Sequence, residues 1–294
     1  MIYILQEKSI INSISKSWDL AIKPLKRIKT ILFDNEIGTT GNSPIKILGN
    51  DYESYAAKNS KSKQPPTDII NEVLAHYFLK IWNIPTPEIA LITIDPNSLP
   101  SKYSSNHKKH YYDFDVFGSQ WIQAIESNDF IKINNKKDFD SFNNLEKLFN
   151  IGLFDIWVAN DDRKPTNHNL LLQTINGKQN IVAIDHAFIF ESRSYANLDA
   201  DMFCPVENDN IFVSEFAKSL KRYILNEKPK FEVINREIFY AYVGDCQQYF
   251  ADIVKNIPKN WNFTKEHQTK LYNFLFNMDR NKKVFDEFQY KISI

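Results

Sequence analysis

Over its first 125 residues the chain carries short apolar, β-prone runs, whereas beyond residue 139 apolar positions recur at three- and four-residue spacing. The periods of strand and helix differ enough to separate the two regimes. In the first regime, Ile31-Leu32-Phe33 is followed by two β-prone runs at 44–48 and 52–58, split by Gly49-Asn50-Asp51, a hairpin signal. Ile69, Val73, Tyr77 and Ile81 then predict a helix capped by Thr67 or Asp68 and ending near Asn83, before Pro85. A core strand is expected over 88–94, an irregular polar insertion over 96–112, and a return to apolar character over 117–124. In the second regime Leu145, Leu148, Phe149, Gly152, Leu153 and Ile156 form a helical stripe, and further helices are expected over 212–225, 236–257 and 264–288. Between them, two β-prone segments, 169–174 and 180–184, flank a turn at 175–179. The expected architecture is α+β and two-lobed, with a strand-rich N-lobe over residues 1–125 and a helical C-lobe over 126–294.

Composition narrows the function. Basic and acidic residues balance at 36 each, with no long basic run, which disfavours direct nucleic-acid binding. The N-terminus lacks the basic leader and apolar stretch of a signal peptide, and no apolar segment approaches the roughly 20 residues of a membrane span. A soluble, cytoplasmic protein is expected. Cys204 and Cys246, the two cysteines, read as free thiols of a reducing compartment.

The chemistry concentrates in one stretch. Asp162 and Asn167 stand five residues apart after the helical stripe, and Asp185 follows the second strand of the 169–184 hairpin. Moving a γ-phosphoryl group between two oxygens needs a carboxylate to orient the attacking hydroxyl and take its proton. It also needs hard oxygen ligands, a carboxamide and a second carboxylate, to hold Mg²⁺. Asp162 suits the first role, and Asn167 and Asp185 the second, since the hairpin makes these two neighbours. A lysine ending a strand is ordinarily only solvated. Lys58 acquires meaning from Glu72, one turn inside the following helix, because a helix glutamate orients the lysine that holds the α- and β-phosphates of ATP. The small-residue loop 37–43, including Gly41 and Ser43, suits close approach to phosphate. Backbone groups from Ile122 to Ala124, at the hinge between lobes, are positioned to read the adenine edge.

Taken together, Gly41-x-Ser43-Pro44, Tyr55-Ala-Ala-Lys58, Asn71-Glu72-Val73 with Ile84-Pro85-Thr86-Pro87, Phe117-Gly118-Ser119, Asn160-x-Asp162-Arg163-x-x-x-Asn167 and Ile184-Asp185-His186-x-x-x-Phe190 resemble the bacterial HipA-like kinases. These are themselves similar to the phosphatidylinositol 3- and 4-kinases in carrying D-R-x-x-x-N. The resemblance covers residues 37–190. It implies a protein-kinase-like fold, ATP and Mg²⁺ as cofactors, a protein substrate phosphorylated on serine or threonine, and in some members an antitoxin-type partner. By position it implies Lys58 on phosphates, Glu72 orienting it, Asp162 as base, and Asn167 and Asp185 on Mg²⁺, with Arg163 and His168 shaping the loop or contacting phosphate. Two positions depart from the pattern: Asp161 precedes Asp162, so two carboxylates could share the base role, and Ala187 stands where glycine is common. No separate N-terminal domain of the longer toxins is visible, so toxin behaviour does not follow. A small-molecule or lipid kinase and an ATP-binding pseudokinase are the alternatives.

Overall fold

The computed structural model describes residues 22–38, 43–103, 107–128, 130–203 and 210–293. Strands β1 (Lys26–Glu36), β2 (Ile45–Gly49), β3 (Ser54–Lys58), β4 (Ile89–Thr93) and β5 (Val116–Gln120) close into a barrel in the order β1-β2-β3-β5-β4. Only the β1–β4 pair of the barrel is parallel. Closure leaves no free sheet edge. Side chains alternate along β2 and β3, sending Ile45, Ile47, Tyr55 and Ala57 into a small core with Ile28, Ala90, Ile92 and Val116. With a period of two, Lys58 faces away from that core. In the described part of the insertion after β4, a 3-10 turn at Lys109–Tyr112 lets His107 and Tyr112 bury beside the barrel.

Helix α1 (Thr67–Ile81) is apolar on nearly every side, and all of its residues except Thr67 and Lys80 are buried. Such a helix needs partners all round. It packs between β5 and the C-terminal helices, and Trp82 at its end stacks against Trp157 and Tyr242. Its start differs from the expected cap. Pro66 stands at the capping position without a side-chain bond, and the Asp68 carboxylate accepts from the adjacent Ile69 N–H instead.

After the linker 121–124, β6 (Ile125–Glu126), β7 (Leu170–Ile175) and β8 (Lys178–Ala183) form a three-stranded sheet. The β7–β8 turn is tighter than expected. Asn176 and Gly177, at φ of 51° and 77°, connect the strands directly, the left-handed pair that Asn-Gly favours. The helices are α2 (Lys136–Asp140), α3 (Glu146–Val158), α4 (Glu215–Glu227), α5 (Arg236–Val254), α6 (Lys265–Leu275) and α7 (Met278–Ser293). The single helix expected over 264–288 is therefore two. Asn277 interrupts it, its side-chain oxygen accepting the Arg280 N–H at 2.8 Å and restarting the chain as α7.

Gly152 lies in α3, where a Cβ would stand 2.4 Å from two ring atoms of the buried Phe212. Alanine would gain about 1 kcal/mol of helix propensity, but the fully packed ring has nowhere to go. Gly152→Ala is expected to lower stability by a net of about 1–2 kcal/mol. Denaturant unfolding checks this, and a variant as stable as the parent would contradict the packing.

Candidate active site

Three elements distant in sequence meet at Lys58. From the end of β3 its Nζ reaches Glu72 Oε1 on α1 at 2.5 Å and Asp185 Oδ1, just after β8, at 2.8 Å. The second oxygen of Glu72 accepts the His186 N–H at 3.0 Å, so one carboxylate ties the lysine to the turn that carries Asp185. Burial works against the ammonium, but the two carboxylates outweigh it and raise the Lys58 pKa. Asp185 is likewise opposed by burial, yet the lysine charge holds it below the usual range. For Glu72, burial prevails and pushes the pKa up. Asp185 itself is left-handed, at φ 56°. The turn after it is fixed by Asn71 of α1, which donates to Ala187 O at 2.8 Å and accepts from Tyr195 OH at 2.6 Å.

The loop 160–169 lies alongside. Helix α3 ends at Ala159, left-handed at φ 49°, with Asn160 N–H bonded to Asp155 O at 2.9 Å, and the chain reverses there. Arg163 is the hub of this loop. Fully buried, its Nε meets Asp155 Oδ2 at 2.7 Å, and its terminal nitrogens donate to the carbonyls of His168, Asn169 and Ile184 and to His186 Nε2. The His186 bond is 2.8 Å and requires an unprotonated Nε2. Burial, Arg163 and Lys58 together push the His186 pKa well down, in keeping with a neutral ring. Burial raises the Asp155 pKa against the pull of Arg163. His168 is buried with its Nδ1 2.9 Å from Ser127 Oγ, which ties the loop to the residue after β6.

Lys164 and Asn167 close a tight turn through paired backbone bonds of 2.9 and 3.0 Å, with Pro165 at the position whose fixed φ such turns favour. The turn presents Asn167 at the surface, its Nδ2 3.4 Å from the Asp162 carbonyl oxygen. The Asp162 carboxylate takes a 2.9 Å bond from Asn169 Nδ2, while the neighbouring Asp161 donates its N–H to Phe188 O at 3.1 Å. Burial raises the Asp161 pKa, and the nearby Ser192, Lys164 and Arg193 only partly offset this.

Of the loop 37–43, Ser43 is buried and left-handed at φ 44°, and Ile37 N–H to Pro44 O at 2.7 Å closes the loop's base; Gly41 lies outside the described residues. Ile122 and Ala124 sit half-buried in the linker between β5 and β6. As a donor set, Asn167 and Asp185 offer a carboxamide and a carboxylate, hard oxygens that suit Mg²⁺. Among the described residues no group of three or more His, Cys, Asp or Glu side chains could hold a metal.

Sequence reading missed Asp155 and Asn169, and it named Asn71 only within a motif, without a role. Asp155 hides as one polar residue in an apolar helix, a position where a charge needs a partner, which is the signal that could have exposed it. Asn71 and Asn169 were masked by an asparagine-rich composition.

The sequence model of a family described as HipA-like kinase matches residues 28–290. No curated protein matches the chain by sequence. Among solved structures, a Helicobacter pylori proinflammatory kinase, CtkA, is 13% identical, covering 92% of this chain and 98% of its own, with a TM-score of 0.46. A Golgi casein kinase is 11% identical over 98% of this chain and 76% of its own, at 0.44. The Shewanella oneidensis HipA, solved with HipB and operator DNA, is 9% identical over 99% and 73%, at 0.40.

Proposed function

We propose, from the premise that this chain belongs to the HipA-like kinase family, that it transfers the γ-phosphoryl group of ATP to a serine or threonine hydroxyl of a protein. The observation that carries the proposal is the meeting of Lys58, Glu72 and Asp185 beside the loop holding Asp162 and Asn167. In this reading Lys58 binds the α- and β-phosphates and Glu72 holds it in place. The acceptor oxygen forms a bond to the γ-phosphorus as the bond from that phosphorus to the bridging oxygen breaks, and ADP leaves. Asp162 takes the hydroxyl proton. Mg²⁺, held by Asn167 and Asp185, would neutralise charge on the phosphates. In this reading Arg163, buried on the loop's own carbonyls, and His168, buried against Ser127 after β6, shape the loop and do not contact phosphate. We place Gly41 and Ser43 over the phosphates, and the backbone of Ile122 and Ala124 against adenine, at a lobe boundary near residue 125. Family membership adds an antitoxin-type protein partner to the proposal. No helix among the described residues is long and apolar enough to cross a membrane.

We assign the base role to Asp162 alone, because its carboxylate is the one bound by Asn169 in the loop that carries Asn167. Asp161→Asn is expected to keep turnover within about three-fold of the parent, far from the 10²–10⁴-fold carried by a general base. A loss as deep as that of Asp162→Asn would mean a shared base. The reading as a whole is tested with γ-labelled ATP and a host lysate, with Mg²⁺ or with EDTA. Mg²⁺-dependent label recovered as phosphoserine or phosphothreonine supports it. Label only on small molecules or lipids would replace the acceptor class, and ATP binding without transfer would make the chain a pseudokinase.

A further inference from the structure

Asn169 lies seven residues beyond Asp162 and belongs to no part of the D-R-x-x-x-N pattern. Its backbone carbonyl is held by two donors, the Ile184 N–H at 3.1 Å and a terminal nitrogen of Arg163. It is left-handed, at φ 47°, a conformation asparagine adopts at much lower cost than most residues. Fixed there, one residue before β7 and against the residue preceding Asp185, its side chain turns back and donates from Nδ2 to Asp162 Oδ2 at 2.9 Å. An aspartate carboxylate on a loop is free to turn about two side-chain bonds. A donor anchored to a rigid backbone selects one orientation.

We propose that Asn169 is a positioning residue: it binds Oδ2 of Asp162, fixes the carboxylate plane, and leaves Oδ1 to receive the proton of the acceptor hydroxyl. The inference rests on Asp162 being the base of the proposed phosphoryl transfer. It adds a link that couples the base to the strand end carrying Asp185, so that base and metal ligand keep a common frame. A merely local role for Asn169, to supply a left-handed residue, makes a different prediction, because glycine would fill that role equally well.

Asn169→Gly keeps the backbone conformation accessible and removes the donor, and Asn169→Asp keeps the shape but sets a carboxylate against a carboxylate. Turnover of Asn169→Gly is expected to fall about 10–100-fold, the scale of a misplaced reacting group, with KM for ATP within about three-fold of the parent. Asn169→Asp should fall at least as far. Melting temperatures, measured alongside, separate these effects from unfolding. In a crystal structure of Asn169→Gly the Asp162 carboxylate should rotate away or spread over several rotamers. A glycine variant within two-fold of parental kcat, or an Asp162 side chain unmoved in that crystal, overturns the proposal. Should the parent itself transfer no phosphoryl group, the kinase reading fails, and the crystal comparison still decides whether Asn169 holds Asp162.

Discussion

Asp162→Asn is expected to reduce turnover by about 10²–10⁴-fold, the usual contribution of a general base, while ATP affinity changes by no more than about three-fold. The amide has nearly the shape of the carboxylate but cannot accept the hydroxyl proton, so the loss should fall on the chemical step. Asp185→Asn makes the contrast. Its Oδ1 is the lysine's partner as well as our proposed metal contact, so that change should weaken Mg²⁺-dependent nucleotide binding together with turnover. Measuring kcat and nucleotide dissociation constants for the two variants separates the roles. Equal loss of binding in both would refute the assignment of base and ligand.

The largest effect on stability is expected at Arg163. Replacing it with leucine leaves the Asp155 carboxylate buried without its cation and removes the donors that three backbone carbonyls share. Breaking a buried pair from one side typically costs about 3–5 kcal/mol, because the surviving charge stays desolvated. At roughly 2–4 °C per kcal/mol for a chain of this order, the melting temperature should drop by about 10 °C. Replacing Asp155 by leucine at the same time removes the stranded charge, so the double variant should be more stable than Arg163→Leu alone. Thermal unfolding of both singles and the double closes the cycle. A loss below about 1 kcal/mol for Arg163→Leu would show that the guanidinium is dispensable to the fold.

The parts of the fold that were legible in sequence are those written in local signals. The apolar spacing of Ile69, Val73, Tyr77 and Ile81 marked α1, and Gly49-Asn50-Asp51 marked the β2–β3 hairpin, because a helix face and a turn are specified by residues close together. Barrel closure was not legible. It depends on the parallel β1–β4 pairing, in which Lys26 meets Ala90, and nothing in either segment encodes its partner. The break at Asn277 was overlooked because the apolar stripe continues across it, as Leu271, Phe274, Val284 and Phe288 all face the core. At the candidate site the Lys58–Glu72 pair could be anticipated, since Lys58 ends a strand and Glu72 lies one turn inside the next helix, but the junction of Lys58 with Asp185 was not read. The Arg163 hub could not be anticipated. Four of its acceptors are a histidine nitrogen and three backbone carbonyls, and backbone acceptors leave no trace in residue identity.

The divided carboxylate of Glu72 has a mechanical meaning. One oxygen holds the Lys58 ammonium and the other the His186 amide, so α1 cannot swing outward and release only one of them. The lysine that would grip the nucleotide and the turn that carries Asp185 share one coordinate, the position of α1. Displacing that helix would load both contacts together, so loosening of one is expected to accompany loosening of the other. In hydrogen exchange, the His186 amide would then report on the lysine: its protection measures how often the whole assembly lets go.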